Sequence, residues 1–338
     1  MVRPLGHLPA LDGLRGIAIA IVVAYHLWGW PRGGWLGVDL FFVLSGFLIT
    51  TLLLEEHAQT GKIRLSAFYL RRARRLLPAL AVLLFAYLLF NALRGTDALG
   101  LVARWGLYTA NIYEAYWPAH ASHLVGLNHL WSLAEEEQFY LVWPLALLGA
   151  ARMRNPARFL ALVAGALILY RAGLVLDGAV SSRLYFAPDT HSDGLVLGSA
   201  LAFAWRSKEL VVPKWLVAVA AVSCVPIVVF ENPSATTQLL MLPIFEVASL
   251  ILVAAAVVGT IRLPRPLVWL GGISYSLYLW HNFILWTFNR HHQILVLAIS
   301  LVAAYASTRW IERPFRRKRA APATRVDEFP AVGESLTA

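Results

Sequence analysis

Residues 76–90 read LLPALAVLLFAYLLF, a run without a single charged side chain. Three further uncharged runs occupy residues 159–170, 216–230 and 249–260. Each run is, or extends to, the roughly 20 residues that a helix needs to cross a bilayer. The runs lack the period-two alternation of barrel strands, and a backbone in lipid must satisfy its own hydrogen bonds. They therefore predict membrane-spanning helices.

The composition of the whole chain agrees with a membrane protein. Of its 338 residues, 59% are hydrophobic and 14% are charged, and the mean hydropathy is +0.63. Soluble domains have about 45–50% apolar and about 25% charged residues. The net charge of +10 does not indicate a nucleic-acid partner, because the basic residues cluster at predicted helix ends. The expected partner of this surface is the lipid bilayer.

The pattern predicts an all-α, polytopic membrane helix bundle of about ten transmembrane helices. We expect these helices at about 10–30, 35–54, 76–93, 129–150, 158–177, 189–205, 213–230, 237–260, 266–288 and 293–311. The segment 98–117 is apolar but holds Arg104, Asn111 and Glu114. We interpret it as an interfacial or re-entrant piece, with an eleventh span as the alternative.

The distribution of lysine and arginine sets the expected orientation. Most of them lie in one set of alternate loops and in the C-terminal tail, at 55–75, 151–158, 206–214, 262–265 and from 313 onward. The positive-inside rule then places both termini in the cytoplasm. We expect a transmembrane domain over residues 1–315, followed by a basic and then disordered cytoplasmic tail over 316–338.

The first predicted helix carries ionisable residues, which are costly inside a membrane and therefore suggest a function. It reads LDGLRGIAIAIVVAYHLW over residues 11–28. Arg15 and His26 are eleven positions apart, so they share a face and lie roughly 16 Å apart along the axis. Asp12 joins that face. Imidazole can accept a proton from a hydroxyl, and guanidinium suits phosphate or a developing oxyanion. The alternative is a structural ion pair and a histidine that reaches interfacial water.

Several stretches resemble the acyltransferase-3 family of membrane acyltransferases. They include LDGLRGIAIAIVVAYH, GWLGVDLFFVLSGFLIT, FYLRRARRLLPAL, HLWSLAEEEQFYLVWPL, FAPDTHSDGLVLGSALA and ISYSLYLWHNF. The stretches occur in the family's order along nearly the whole chain, in a form without a fused extracytoplasmic domain. The resemblance implies a multi-pass protein of a bacterial inner or plasma membrane.

The resemblance also implies the reaction. A cytoplasmic acyl-CoA, with acetyl-CoA as the expected donor, would acylate a hydroxyl of a glycan, glycolipid or small-molecule acceptor. His26 would be the catalytic base, Arg15 its partner and Glu136 a further catalytic residue. Arg71, Arg72, Arg74 and Arg75 would bind the phosphates of CoA, although lipid headgroups and topology are the alternative explanation. The macrodipole of the fourth helix alone would also favour Glu136 and Glu137 near its start.

Further residues of the same stretches are expected to bind substrate. They are Asp12, Asp39, Glu137, Asp189, Asp193, Tyr278 and His281. Asp189 could instead cap a helix, and the spacing of Tyr278 and His281 also suits ordinary aromatic packing. His191 stands where the family often has arginine, and Asn282 where it often has tryptophan. We interpret His120, His123 and His129 as solvated or acceptor-facing, and we expect no metal.

A transporter or flippase of a sugar-like or lipid-like solute is the alternative function, since such bundles also contain buried charges. No inverted repeat or matching pair of interrupted helices supports it. The single cysteine, Cys224, excludes an intrachain disulfide. Whether the chain forms a homo-oligomer, and whether transfer is direct or uses an acyl-enzyme, stay open at this stage.

Overall fold

The computed structural model describes residues 6–118, 126–207, 210–288 and 291–315, and within these ranges every regular element is a helix. The prediction of an all-α fold is confirmed for this part of the chain. The tail predicted over 316–338 lies outside the described residues, as do His120 and His123.

Three long helices open the bundle. Helix α1 spans Pro9–Trp28, α2 spans Gly37–Thr60 after a short 3-10 turn at Gly34–Leu36, and α3 spans Leu65–Leu93. Proline at the first position of α1 costs no hydrogen bond, because the first N–H groups of a helix have no partner in it. The helix ends at Gly29, whose φ of 67° lies in the left-handed region that glycine favours.

Two short helices follow, α4 (Leu99–Gly106) and α5 (Ala110–Tyr116). They occupy the segment 98–117, for which the sequence left open whether the chain crosses the membrane. Neither is long enough to cross a bilayer alone, and Tyr108 between them has a positive φ of 55°. This break agrees with an interfacial or re-entrant piece.

The remaining helices continue in the predicted order. They are α6 (Trp131–Ala150), α7 (Pro156–Leu176), α8 (Ser181–Phe186), α9 (Pro188–His191), α10 (Asp193–Ser207), α11 (Lys214–Phe230), α12 (Leu242–Val258), α13 (Arg265–Gly272), α14 (Ser274–Thr287), α15 (Gln293–Ala306) and α16 (Arg313–Phe315). Stretches of π-helix at Thr237–Met241 and Ser307–Glu312 precede α12 and α16.

Several helix boundaries differ from the predictions. Helix α2 continues to Thr60 rather than ending at about 54, and Ser192 separates α9 from α10 within the helix predicted over 189–205. Helix α3 begins at Leu65 rather than at about 76, because its arginine-rich first turns are helical although they are not apolar. The helix predicted over 266–288 is divided at Ile273 into α13 and α14. For α3 and for the helix predicted over 266–288, hydropathy located the apolar residues. It did not show where the helix begins or where it is interrupted.

In the part of the chain that the structure describes, six helices are long and apolar enough to cross a membrane. They are Pro9–Trp28, Gly34–Thr60, Leu65–Leu93, Pro156–Leu176, Thr237–Val258 and Gln293–Phe315. Large apolar side chains such as Phe85 and Leu162 are exposed on the outside of the bundle, as lipid contact requires. The chain is therefore a multi-pass membrane protein. The count of about ten spans and the cytoplasmic termini stay predictions.

The interior of the bundle is arranged around α1 and α2. Helix α1 packs on α2, α13 and α14, while α2 also packs on α6, α10 and α12. Gly16 and Gly271 permit the close contact of α1 with α13. A Cβ atom on Gly16 would collide with the carbonyl oxygen of Leu267, and one on Gly271 with that of Asp12. This contact places the polar face of α1 beside α14.

Candidate active site

A cavity of about 220 Å³ lies between α1, α2, α3, α6 and α14. Its polar lining consists of Arg15, Ser45, Arg72, Arg75, Ser132, Glu136, Tyr140, Ser274, Tyr275 and Tyr278. Its apolar lining includes Phe41, Phe42, Leu48, Leu52 and Leu76. Pockets for drug-sized ligands measure about 300–1,000 Å³, so this cavity is smaller than a typical ligand pocket.

Basic side chains from two helices meet at this cavity. Arg15 comes from α1, and Arg72 and Arg75 come from α3. Arg72 is fixed in place, because its Nη2 lies 2.7 Å from Oε1 of Glu137 and its guanidinium lies 3.7 Å from the ring centre of Tyr140. Such a cluster suits an anionic or electron-rich ligand.

The structure separates the four arginines that the sequence grouped together. Arg71 pairs with Glu56 at 2.6 Å and has a largely exposed side chain. Neither Arg71 nor Arg74 lines the cavity, whereas Arg72 and Arg75 do. Because α3 is helical through this region, adjacent arginines point in different directions.

The predicted carboxylates of α6 occupy three different environments. Glu136 lines the cavity and accepts a hydrogen bond from the Tyr140 hydroxyl. Glu137 does not line the cavity but holds Arg72 there. Glu135, which the family resemblance gave no role, is fully buried and accepts a hydrogen bond from Ser192 at 3.1 Å.

Arg15 and Asp12 share one face of α1, as their spacing predicted. Nη1 of Arg15 lies 3.7 Å from Oδ1 of Asp12, and the other carboxylate oxygen lies 2.8 Å from Nε2 of His7. Arg15 lines the cavity, and Asp12 does not. The proximity of the pair is therefore confirmed, while a substrate-binding role for Asp12 stays a prediction.

His26 lies at the other end of α1 from Arg15, in a group of histidines. Its Nδ1 is 3.1 Å from Nε2 of His281, and the ring of His281 is 5.0 Å from that of His129. His26 is half-buried, and the other two histidines are buried. The interpretation of His129 as solvated is wrong, because the 3-10 turn Asn128–Leu130 places it inside the bundle, while the alternative that it faces the acceptor stays a prediction.

Tyr278 connects the cavity with the histidine group. Its side chain lines the cavity, its hydroxyl donates to the carbonyl oxygen of His129, and its ring centre is 5.8 Å from that of His281. The hydroxyl of Ser132 lies 2.7 Å from the Tyr278 hydroxyl. Since the Tyr278 hydrogen is already donated, Ser132 donates to Tyr278.

Two of the predicted substrate-binding aspartates lie in a separate buried cluster. Asp39 is 2.7 Å from Nε2 of His191, and Asp193 pairs with Arg171 through contacts of 2.8 and 3.0 Å. All four side chains are almost completely inaccessible to solvent. The structure does not bring Asp39 or Asp193 to the cavity lining, so their substrate-binding role stays a prediction.

This cluster supports the cavity wall from behind. The ring of Phe42, which lines the cavity, packs at 5.7 Å from the ring of His191 and at 6.1 Å from that of Trp131. Nδ1 of His191 donates to the carbonyl oxygen of Tyr185 at 2.6 Å, so Asp39 meets the second ring nitrogen. These two hydrogen bonds fix the His191 ring that packs against Phe42.

Arg171 and Glu246 are buried charged residues to which sequence reasoning also gave no role. Both residues lie in predicted spans. Glu246 is fully buried, and no group among the described residues donates a hydrogen bond to either of its carboxylate oxygens. The rule that marked Arg15 and His26, that ionisable residues inside spans suggest a function, applies equally to these two. The sequence therefore already indicated a possible function for Arg171 and Glu246.

Asp189 lies apart from both groups. It pairs with Arg183 at 2.5 Å and its side chain is 44% exposed. Among the described residues, no group of three or more histidine, cysteine, aspartate or glutamate side chains is placed to hold a metal ion. Binding of substrate by Asp189 and the expected absence of a metal stay predictions.

The comparisons with known proteins agree with this architecture. An acyltransferase domain model of the acyltransferase-3 family matches residues 8–309, which contain the cavity, the histidine group and the buried cluster. The chain belongs to the acyltransferase-3 family. The resemblance found in the sequence motifs is thus confirmed.

Members of the acyltransferase-3 family with curated names are similar over most of the chain. The peptidoglycan O-acetyltransferase OatA of Listeria monocytogenes is 34% identical over 92% of this chain. The O-acetyltransferase OatA of Staphylococcus aureus is also 34% identical over 92% of it. The chain spans 56% and 58% of the lengths of these relatives. No solved structure matches the chain significantly. The transporter alternative receives no support from these comparisons.

Proposed function

We propose that this protein is a membrane O-acetyltransferase that moves an acetyl group from cytoplasmic acetyl-CoA to a hydroxyl group of a cell-wall glycan or its membrane-borne precursor. The observation that carries the proposal is the set of side chains that line the cavity. Arginines from α1 and α3 line the cavity, Tyr278 of its wall contacts His281, and His281 contacts His26. The names of the relatives support the acetyl group and the glycan.

The donor would occupy the cavity as an extended chain. The phosphates of CoA would meet Arg72 and Arg75, and the slender pantetheine arm would run along the apolar lining towards Tyr278. Arg15 and His26 lie about 16 Å apart along α1 from the helical rise alone, a separation that an extended arm can bridge. This assignment explains why arginines lie at one end of α1 and the histidine group at the other.

The reaction then needs one base. His26 removes the proton from the acceptor hydroxyl, and the oxygen attacks the thioester carbonyl. A carbon–oxygen bond forms, the carbon–sulfur bond breaks, and the thiolate of CoA leaves. The proton held by His26 passes to that thiolate, so the products are an acetyl ester and free CoA thiol. Arg15 lines the cavity about 16 Å from His26 along α1, so its role would be to hold the donor rather than to contact the reacting carbonyl oxygen.

Release of free CoA thiol from acetyl-CoA tests the proposal. Purified protein would be assayed with a thiol-reactive dye in a Cys224→Ser background, because Cys224 is the one cysteine of the chain. With solubilised glycan acceptors, we expect His26→Ala to lower the rate about 10²–10⁴-fold, the usual contribution of a general base. His57→Ala, which alters an exposed histidine at the end of α2, is the matched control. Release that is equal in His26→Ala and wild type would remove His26 from the mechanism.

A further inference from the structure

The histidine group contains enough fixed hydrogen bonds to assign the protons of its rings. Nδ1 of His281 lies 2.8 Å from the carbonyl oxygen of Tyr278 and 3.0 Å from that of Leu277. A carbonyl oxygen only accepts hydrogen bonds, so Nδ1 of His281 carries a hydrogen. The same argument holds for His129, whose Nε2 lies 3.2 Å from the carbonyl oxygen of Leu279.

The second nitrogen of each ring then carries a lone pair. His281 is completely buried, and the titratable groups that face it are the imidazoles of His26 and His129 and the phenol of Tyr278. None of these compensates a buried positive charge, so the neutral ring is favoured. Its Nε2 is therefore an acceptor. His129 fits the same pattern, because its Nδ1 accepts from Nδ2 of Asn282 at 3.3 Å.

The lone pair of His281 determines the state of His26. Nε2 of His281 lies 3.1 Å from Nδ1 of His26, and one of two nitrogens in a hydrogen bond must donate. Since His281 accepts, Nδ1 of His26 carries the hydrogen. The lone pair of neutral His26 is then on Nε2, which is the ring nitrogen that does not face His281.

We propose that His281 is a positioning residue that holds His26 in the Nδ1–H tautomer, so that Nε2 is the nitrogen that removes the proton from the acceptor hydroxyl. The inference rests on the proposed function and replaces the substrate-binding role that the sequence suggested for His281. In other general-base systems, a hydrogen-bond acceptor fixes the tautomer and the orientation of the catalytic histidine. His281 would do the same for His26. After proton transfer, the same lone pair stabilises the His26 imidazolium.

The tautomer of His26 can be measured in protein that is not turning over substrate. Protein labelled with ¹⁵N-histidine would be studied by NMR, because protonated and unprotonated ring nitrogens have well-separated ¹⁵N shifts, and His26→Asn identifies the His26 signals. We expect the Nδ1–H form of His26 in the wild type and in His281→Gln, whose side-chain oxygen can take the place of Nε2. We expect a mixture with the Nε2–H form in His281→Leu. An Nε2–H form in the wild type, or an unchanged tautomer in His281→Leu, would overturn the proposal.

Steady-state kinetics of the same variants distinguish a positioning role of His281 from a role in folding alone. His281→Leu fills the space of the ring without an acceptor, and we expect it to lower kcat about 10²–10⁴-fold with unchanged KM for acetyl-CoA. His281→Gln should restore most of kcat. Equal losses in both variants, or a raised KM, would contradict positioning through the hydrogen bond. If wild-type protein releases no CoA, the proposed function fails, and the tautomer still decides whether His281 sets the state of His26.

Discussion

At the scale of residues, side chains that are adjacent in sequence have different surroundings. In the arginine-rich start of α3, Arg72 and Arg75 line the cavity while Arg71 pairs with Glu56. In α6, Glu136 faces the cavity and Glu135 faces the buried cluster. Helical geometry distributes consecutive residues over different faces, so one motif serves both the cavity and the packing behind it.

The division of the arginines gives a prediction about donor binding. We expect Arg75→Ala to raise the KM for acetyl-CoA about 10–100-fold, because a hydrogen bond to a charged group contributes about 1.5–3 kcal/mol. Arg71→Ala is the control from the same motif, and its KM should stay near that of the wild type. Steady-state kinetics in detergent would measure both. Equal KM values for the two variants would instead favour a role of the whole motif in lipid contact or topology.

Residue-scale predictions from sequence succeeded where the contacts are local. The spacing of Asp12 and Arg15 placed them on one face, and the structure brings them to 3.7 Å. The contact between His26 and His281 joins residues far apart in the chain, and periodicity within one helix carries no information about it. The same reason explains why His129 was interpreted as solvated.

At the scale of elements, hydropathy located the helices and missed their irregularities. Each predicted helix overlaps one or two helices of the structure, because apolar runs have few alternatives in lipid. The early start of α3 and the break at Ile273 have no hydropathy signal. That break lets α13 pack closely on α1 while α14 carries Tyr278 and His281 to the site.

The contact between α1 and α13 can be tested with adjacent glycines. A methyl group on Gly271 would collide with the backbone of Asp12, whereas Gly272 has open space around the same position. We expect Gly271→Ala to lower the free energy of unfolding by about 1–3 kcal/mol, as overpacking does, and to reduce CoA release. Thermal unfolding in detergent would measure the first effect. Gly272→Ala should be as stable as the wild type, and an equal loss in both variants would contradict the close packing.

At the scale of the whole molecule, the bundle combines a lipid-facing exterior with a polar interior divided in two. The cavity and the histidine group form a continuous arrangement through Tyr278, and the cluster of Asp39, Arg171, His191 and Asp193 lies behind Phe42. The basic loops predict that the donor enters from the cytoplasmic side. The acceptor would then meet His26 near the opposite end of α1, so that one bundle links the two sides of the membrane.

Transfer across proteoliposomes tests this account most directly. Acetyl-CoA with a ¹⁴C-labelled acetyl group would be supplied on the side of the basic loops, and soluble peptidoglycan fragments on the other side. The account predicts alkali-labile ¹⁴C-acetyl ester on the fragments, formed by the wild type and lost in His26→Ala. Consumption of acetyl-CoA without labelled ester, or labelling that requires acetyl-CoA on the side opposite the basic loops, would contradict it.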